Sequence, residues 1–354
     1  MVNYTLWGVT VDLDIPYGRF PPMEDLKSLD GLFPATLQHK FFKCANHGGS
    51  ILHYRVCLPP KNVPLKGILV WQHGIASHSG CALRIPSSNR ITNYALLAWE
   101  MNKSGYGVYL LDMRGHGLSE GMRFFIPGDW KVNRDDFAAF VQYASSQHLQ
   151  NTPLFVGGDS YGGNLAIHVG RMFQDKKIKI PEGFRGLCLT APAIVGDLPP
   201  APVTFLLRNI LTPLHPTWTP PFMPNPINPE VMWSDPEVRL LQTSPDVNAM
   251  GLQASGKPFR LGTADCLISA LEYARNYAVV GFDVPFCVAH GVKDGGVPII
   301  GTEEFLIVSK VSEKDRLFLR EDNAMHDLLA EPNAELIVAK MICWMNTRLS
   351  KNYC

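Results

Sequence analysis

An excess of charge of either sign is what this chain lacks first: Lys plus Arg and Asp plus Glu number 32 each, and the formal net charge is zero. Without a net field there is no long-range pull on nucleic acid or on an acidic surface, so nucleic acid is not an expected partner. Apolar runs long enough to span a bilayer are also missing. Met1-Val2-Asn3-Tyr4-Thr5-Leu6-Trp7 has neither a basic stretch nor an apolar core, and Lys351-Asn352-Tyr353-Cys354 is no prenylation box, so neither secretion nor a lipid anchor is expected. The eight cysteines are scattered without paired spacing, several in apolar segments, which reads as buried free thiols in a reducing compartment. His and Cys form no set with ligand spacing, so no metal is expected, and no cofactor. The location expected is cytoplasmic, with peripheral membrane contact left open, as is the oligomeric state.

Proline, by contrast, is concentrated: half of the chain's 28 fall between Pro192 and Pro258. Proline cannot donate into a central sheet, so this stretch reads as an insertion. Around it, apolar runs alternate with helical patterns, the signature of a parallel sheet with crossovers. Expected strands are Leu37–Ala45 and Ser50–Cys57 as an antiparallel pair, then Gly67–Gln72, Tyr106–Leu111, Leu154–Val156, Gly186–Thr190, Val284–Ala289 and Arg316–Leu319. Expected helices cover Asn89–Lys103, Val132–His148, Gly163–Phe173, Leu267–Tyr277 and about Leu328–Leu349. The organisation that follows is a terminal extension (1–36), a core (37–191), a Pro-rich apolar cap (192–258) and the rest of the core (259–354).

Between the Leu154 strand and the Gly163 helix lies Gly158-Asp159-Ser160-Tyr161-Gly162. A strand that turns straight into a helix at Gly-x-Ser-x-Gly strains the serine backbone and lifts its hydroxyl off the sheet. Gly158 and Gly162 fit because a side chain there would clash. Ser160 is therefore the candidate nucleophile.

Such an elbow needs an acid and then a histidine further along. Asp294 follows the Val284 strand, just past its carboxyl end, where open α/β sheets place reactive groups. His326 follows the Arg316 strand and is the candidate base. Asp265 competes for the acid role, but with no strand before it reads as an exposed acid at the start of the Leu267 helix. Asp322 and Asp327 are too close to His326 in sequence to be favoured. Oxyanion donors are expected from the amide of Tyr161 and from the loop His73-Gly74-Ile75 after the Gly67 strand, with Ile75 the choice. His73, Gly74 and His78 read as shaping that loop. Asp112, Arg114 and His116, after the Tyr106 strand, read as tying their own loop together by hydrogen bonds.

Taken together, His73-Gly74 with His78-Ser79-Gly80, Asp112-Met113-Arg114-Gly115-His116-Gly117-Leu118-Ser119-Glu120-Gly121, Gly158-Asp159-Ser160-Tyr161-Gly162-Gly163 and His326-Asp327-Leu328-Leu329-Ala330-Glu331-Pro332 resemble the monoglyceride lipase and lysophospholipase-like group of serine hydrolases. The resemblance spans about Phe41 to Met345. It implies an α/β-hydrolase fold with a mostly parallel eight-stranded sheet, a lipid ester substrate and a triad of Ser160, Asp294 and His326. Two positions depart from the family's pattern: Tyr161 stands where a compact residue is usual, and Gly295-Gly296 follows the acid.

The cap carries Val203, Phe205, Leu206, Leu207, Ile210, Leu211, Leu214, Trp218, Phe222, Met223 and Trp233. Pro202 can start a short helix reaching about Leu211. Its inner face is expected to line an acyl channel, with Phe205, Leu206, Ile210 and Trp218 as contacts, and its outer face to touch lipid transiently. Two other classes stay open. A serine peptidase for short peptides would need cap carboxylates such as Glu230, Asp235 or Glu237 for a substrate amine. A silent binding module would lack a triad member, and none is missing. An epoxide hydrolase or dehalogenase would need aspartate where Ser160 stands.

Overall fold

Short apolar runs bounded by turn residues suit strands buried on both faces of a parallel sheet covered by helices, and five of the strands are arranged that way, with a sixth parallel strand half-buried at the edge. The computed structural model describes residues 3–6, 9–12, 30–126, 128–220, 228–244 and 259–350. A hairpin of β1 (Asn3–Leu6) and β2 (Val9–Asp12) stands apart from the main sheet. That sheet has eight strands in the order β12-β11-β10-β9-β5-β8-β4-β3. The members are β3 (Gln38–Cys44), β4 (Ser50–Cys57), β5 (Gly67–Gln72), β8 (Tyr106–Leu111), β9 (Leu154–Asp159), β10 (Phe184–Thr190), β11 (Phe286–Gly291) and β12 (Arg316–Glu321). From β8 to β12 all neighbours run parallel, whereas β4 is antiparallel to both β3 and β8. Exposed Lys40 and Lys43 sit on the edge strand β3, a charge pattern that discourages pairing with another chain.

Successive strand residues point to opposite faces, so each central strand feeds two cores. Ile68 and Val70 join Phe137, Phe140 and Leu165 on one face, under α2 (Lys131–Ser146) and α3 (Ser160–Gln174). Leu69 and Trp71 join Leu97, Met101 and Trp344 on the other, under α1 (Asn93–Lys103) and α9 (Ala334–Asn346). Phe33 packs in this second core, so the end of the expected terminal extension belongs to the core. Cys44, Cys57, Cys81, Cys188, Cys266 and Cys287 are buried free thiols, and Cys343 is an exposed one.

Three helix starts differ from expectation by four residues or more. Residues expected to open α1 instead form a hairpin, β6 (Arg84–Ile85) with β7 (Arg90–Ile91). It is fixed from outside, because the Arg90 guanidinium donates to the carbonyls of Ala330 and Glu331, both at 2.8 Å. Helix α7 (Leu261–Tyr273) begins six residues before the expected Leu267. Gly262 and Thr263 are weak helix formers, but Thr263 Oγ1 bonds the backbone of Phe124 and Ile126, a support invisible in local sequence. Asp265 is consequently half-buried within α7, not at its exposed start, and pairs with Arg208 at 2.9 Å. Last, α9 begins at Ala334, because Pro332 has no amide to donate and disfavours helix at Glu331.

Between β10 and β11 the described residues of the Pro-rich stretch form no strand. They form α4 (Ala201–Leu206), which continues through a wide turn to Leu214, then α5 (Pro229–Met232) and α6 (Pro236–Gln242). Phe222 and Met223, with the rest of 221–227 and 245–258, lie outside the described residues, as do the last four residues and most of the first 29. Helix α8 (Ile300–Val308) completes the set used below. Among the described residues no helix is long and apolar enough to cross a membrane, and none group as a metal site.

Candidate active site

Ser160 ends the run of β9 and opens α3 with φ of +52°, a left-handed backbone that costs a non-glycine residue energy and marks a site over-determined by its surroundings. The surroundings are backbone. A Cβ on Gly158 would lie 2.5 Å from the carbonyl carbon of Gly162, and one on Gly162 would lie 2.1 Å from the Gln72 carbonyl oxygen. The Ala193 amide, past the end of β10, donates to the Ser160 carbonyl at 2.9 Å and holds the turn from the other side.

Asp294 sits in the turn after β11 and is buried. Its Oδ1 accepts from the amides of Gly296 and Val297, both at 2.8 Å, and its Oδ2 lies 2.7 Å from Nδ1 of His326. Burial alone would raise this carboxyl, but the His326 charge and the hydrogen bonds of His290 and His326 outweigh it and hold it well below the usual carboxylate range. For His326 burial pulls the imidazole down, and the charge and hydrogen bond of Asp294 reverse this, so its pKa stands above the ordinary value of 6.5. The loose Gly295 has a steric cause: a Cβ there would sit 2.8 Å from Cβ of Val231 in α5.

Ser160 and His326 line one cavity of about 560 Å³, together with Gly74, Ile75 and Tyr161. Gly74 donates its amide to Asp159 Oδ2 at 3.0 Å, so that amide is already engaged. His73 does shape the loop: its Nδ1 bonds the Gly74 carbonyl at 2.6 Å, and its Nε2 accepts from the Met113 amide at 3.0 Å. Burial lowers His73, and pushes His78 and His116 down to about 3, so these rings are neutral. Asp112 accepts from the amides of Ser79 and Leu118 and from His53, and Arg114 pairs with Asp136. The Tyr161 ring is accommodated in the core beneath α2 and α3.

From the cap, Val203 and Leu207 reach the cavity, one helical turn apart. Phe205, Leu206 and Ile210 do not line it; they are 64%, 44% and 46% exposed, and Leu214 is 66% exposed. Positions four apart share a face and Phe205 turns away from it, while the wide turn that starts at Leu207 carries Ile210, seven residues from Val203, off that face. Trp218 is half-buried and also off the cavity, its carbonyl accepting the Leu261 amide. Glu230 pairs with Arg239, Asp235 with Arg90, and Glu237 with Ser87, and none of the three lines the cavity.

Besides Asp197, the cavity is lined by two carboxylates to which the sequence reading assigned no role, Asp159 and Asp327, the latter set aside there as the triad acid. Asp159 accepts from Trp71 Nε1 and the Tyr94 hydroxyl, both at 2.9 Å, besides Gly74. Desolvation, aided by the charge of Asp327, pushes it up to about 6. Asp327 accepts from Trp233 Nε1 at 2.8 Å and Asn93 Nδ2 at 2.7 Å, and desolvation raises it too. Trp233 thereby ties the cap to the His326 loop, and with Ile85, Val238 and Ala330 it forms a small separate core. Adjacency to Ser160 and His326 was the available signal for both carboxylates.

Residues 64–333 match the family described as Serine aminopeptidase, S33. The chain is 26% identical over 313 residues to the monoacylglycerol lipase of Mycolicibacterium smegmatis, covering 88% of this chain and 98% of that one. It is 26% identical over 299 residues to the caffeoylshikimate esterase of Arabidopsis thaliana, covering 82% and 81%. Among solved structures, a soluble variant of the monoglyceride lipase from Saccharomyces cerevisiae in complex with a substrate analog superimposes with a TM-score of 0.68 at 16% identity, covering 89% of this chain and 96% of that one.

Proposed function

The chain belongs to the Serine aminopeptidase, S33 family and has the α/β-hydrolase fold; on that premise we propose that it is a serine hydrolase of lipid carboxylic esters, monoacylglycerols or lysophospholipids, working through Ser160, His326 and Asp294. The observation that carries this reading is one shared cavity: Ser160 on its left-handed turn and His326, bonded to Asp294, both open onto it. Ester substrates are also what the names of the Mycolicibacterium and Arabidopsis relatives state for those proteins.

In the first step Ser160 Oγ attacks the ester carbonyl while Nε2 of His326, the ring nitrogen not used by Asp294, takes the hydroxyl proton. The carbonyl oxygen becomes an oxyanion received by the amides of Ile75 and Tyr161, each worth about 3 to 4 kcal/mol in the transition state. Asp294 holds the ring orientation and stabilises the imidazolium. Collapse breaks the bond to the alcohol, which leaves with the proton from His326. Water, deprotonated by the same ring, then attacks the acyl-enzyme and releases the acid, restoring Ser160.

A volume of about 560 Å³ with Val195, Leu198, Val203, Leu207, Leu267 and Leu271 in its wall suits an apolar acyl group. On the outside, Phe205, Leu206, Ile210 and Leu214 are placed to meet a lipid surface, which would shorten the path of a water-poor substrate. The peptidase reading is the weaker, because Glu230, Asp235 and Glu237 are held by partners away from the cavity, which leaves the exposed Asp197 as the cap carboxylate on its wall among the described residues. Labelling with a fluorophosphonate and mapping the adduct tests the proposal, followed by product release from monoacylglycerols, lysophospholipids and aminoacyl amides. An adduct on Ser160 and release from the lipid esters are expected. Labelling elsewhere, or turnover of the amides alone, would refute it.

A further inference from the structure

Asp294 Oδ2 is shared by two imidazoles. Besides His326 at 2.7 Å, Nε2 of the fully buried His290 lies 3.1 Å away. The same Nε2 is 3.0 Å from the carbonyl of Val297. A carboxylate and a carbonyl can only accept, so this nitrogen carries a hydrogen divided between them. On the other side of the ring, Nδ1 is 2.7 Å from Oγ1 of Thr302, itself fully buried in the first turn of α8. A hydroxyl donating to Nδ1 fixes the Nε2–H tautomer, the arrangement by which an outer partner orients a working histidine.

We propose that His290 is a positioning residue for the reaction: by donating to Oδ2 it locks the Asp294 carboxylate and withdraws part of the charge that His326 would otherwise receive. This rests on the Ser160, His326, Asp294 reading above. With both backbone amides on Oδ1, Oδ2 is the oxygen left for His326, and His290 is its competing side-chain donor among the described residues. A donor on a carboxylate stabilises its charge and weakens it as an acceptor elsewhere. His290 thus limits how strongly Asp294 stabilises the imidazolium and keeps more of His326 in the basic form near neutrality. The other charged groups that act on His326 are Asp327 and Asp159. Each bonds its own donors, and neither touches His290.

The test is kcat/KM against pH for wild type, His290→Phe, His290→Gln and Thr302→Val. Removing the donor should move the acid limb of His290→Phe to higher pH by about half to one unit. The amide of His290→Gln should return the limb toward wild type. Thr302→Val, which frees the other tautomer without disturbing the ring, should shift it in the same direction by less, and it serves if His290→Phe does not fold. A residue that mattered only for packing would lower turnover or Tm and leave the limb in place. An unmoved limb, or one displaced to lower pH, in a folded variant overturns the inference. A Ser160→Ala control separates the two levels. Full turnover by that variant defeats the triad itself, whereas an inactive Ser160→Ala with an unmoved limb for the His290 and Thr302 variants defeats only the role of His290.

Discussion

Nδ1 of His326 lies 2.7 Å from Oδ2 of Asp294 across 32 residues of chain, and each residue shifts the other in the direction that keeps both charged. The imidazole pKa is raised, so its base form is lost below a value above 6.5. The acid limb of kcat/KM should therefore fall above pH 6.5. Replacing the carboxylate, as in Asp294→Asn, should move that limb down and reduce kcat by roughly 10⁴-fold. A pH series on short p-nitrophenyl esters checks both. The stability that the pair contributes follows the same signs. The His326 part is fully present below the unfolded histidine value and fades as pH rises through the folded one, while the Asp294 part is lost as pH falls below the ordinary carboxylate range.

Ser160→Ala and His326→Ala should each lower turnover by roughly 10⁶-fold, the scale found when one member of such a unit is removed, with Tm little changed. Asp265→Ala is the contrasting case. Half-exposed against Arg208, it should cost at most about 1 kcal/mol of stability and leave turnover nearly intact. Circular dichroism melts beside initial rates would separate the two kinds of effect.

Asp159 carries a proton more tightly in the folded protein than in the unfolded chain, since its pKa is raised to about 6. Its contribution is then complete below about pH 4 and disappears as pH climbs through 6. Asp159→Asn has no such titration. Relative to wild type its Tm should become steadily more favourable between pH 4 and 7, whatever the offset at pH 4. Parallel Tm curves for the two proteins would contradict the assignment.

If the outer face of α4 meets lipid, charges placed there should loosen the contact without touching the chemistry. A Phe205→Glu, Ile210→Glu double variant should float less with phosphatidylcholine vesicles than wild type and hydrolyse a short soluble ester at an unchanged rate. Equal flotation would remove the membrane from the account.

Sequence alone determined the strand order of events along the chain and the elbow around Ser160, because these are local. A two-residue alternation, a glycine that must meet backbone and a proline that cannot donate are all legible within a few positions. What it could not reach was set by partners far away in the chain. The start of α7 is supported by Phe124 and Ile126, the hairpin before α1 is anchored at Ala330 and Glu331, and the inward face of α4 proved to be that of Val203 and Leu207. The same holds for the electrostatics of the site. Asp159 and Asp327 carry no motif of their own, and the bond from His290 to Asp294 exists only because β11 and the turn after it fold back on each other. Shifted acids and shared oxygens arise from desolvation and distance, and both are properties of the folded chain.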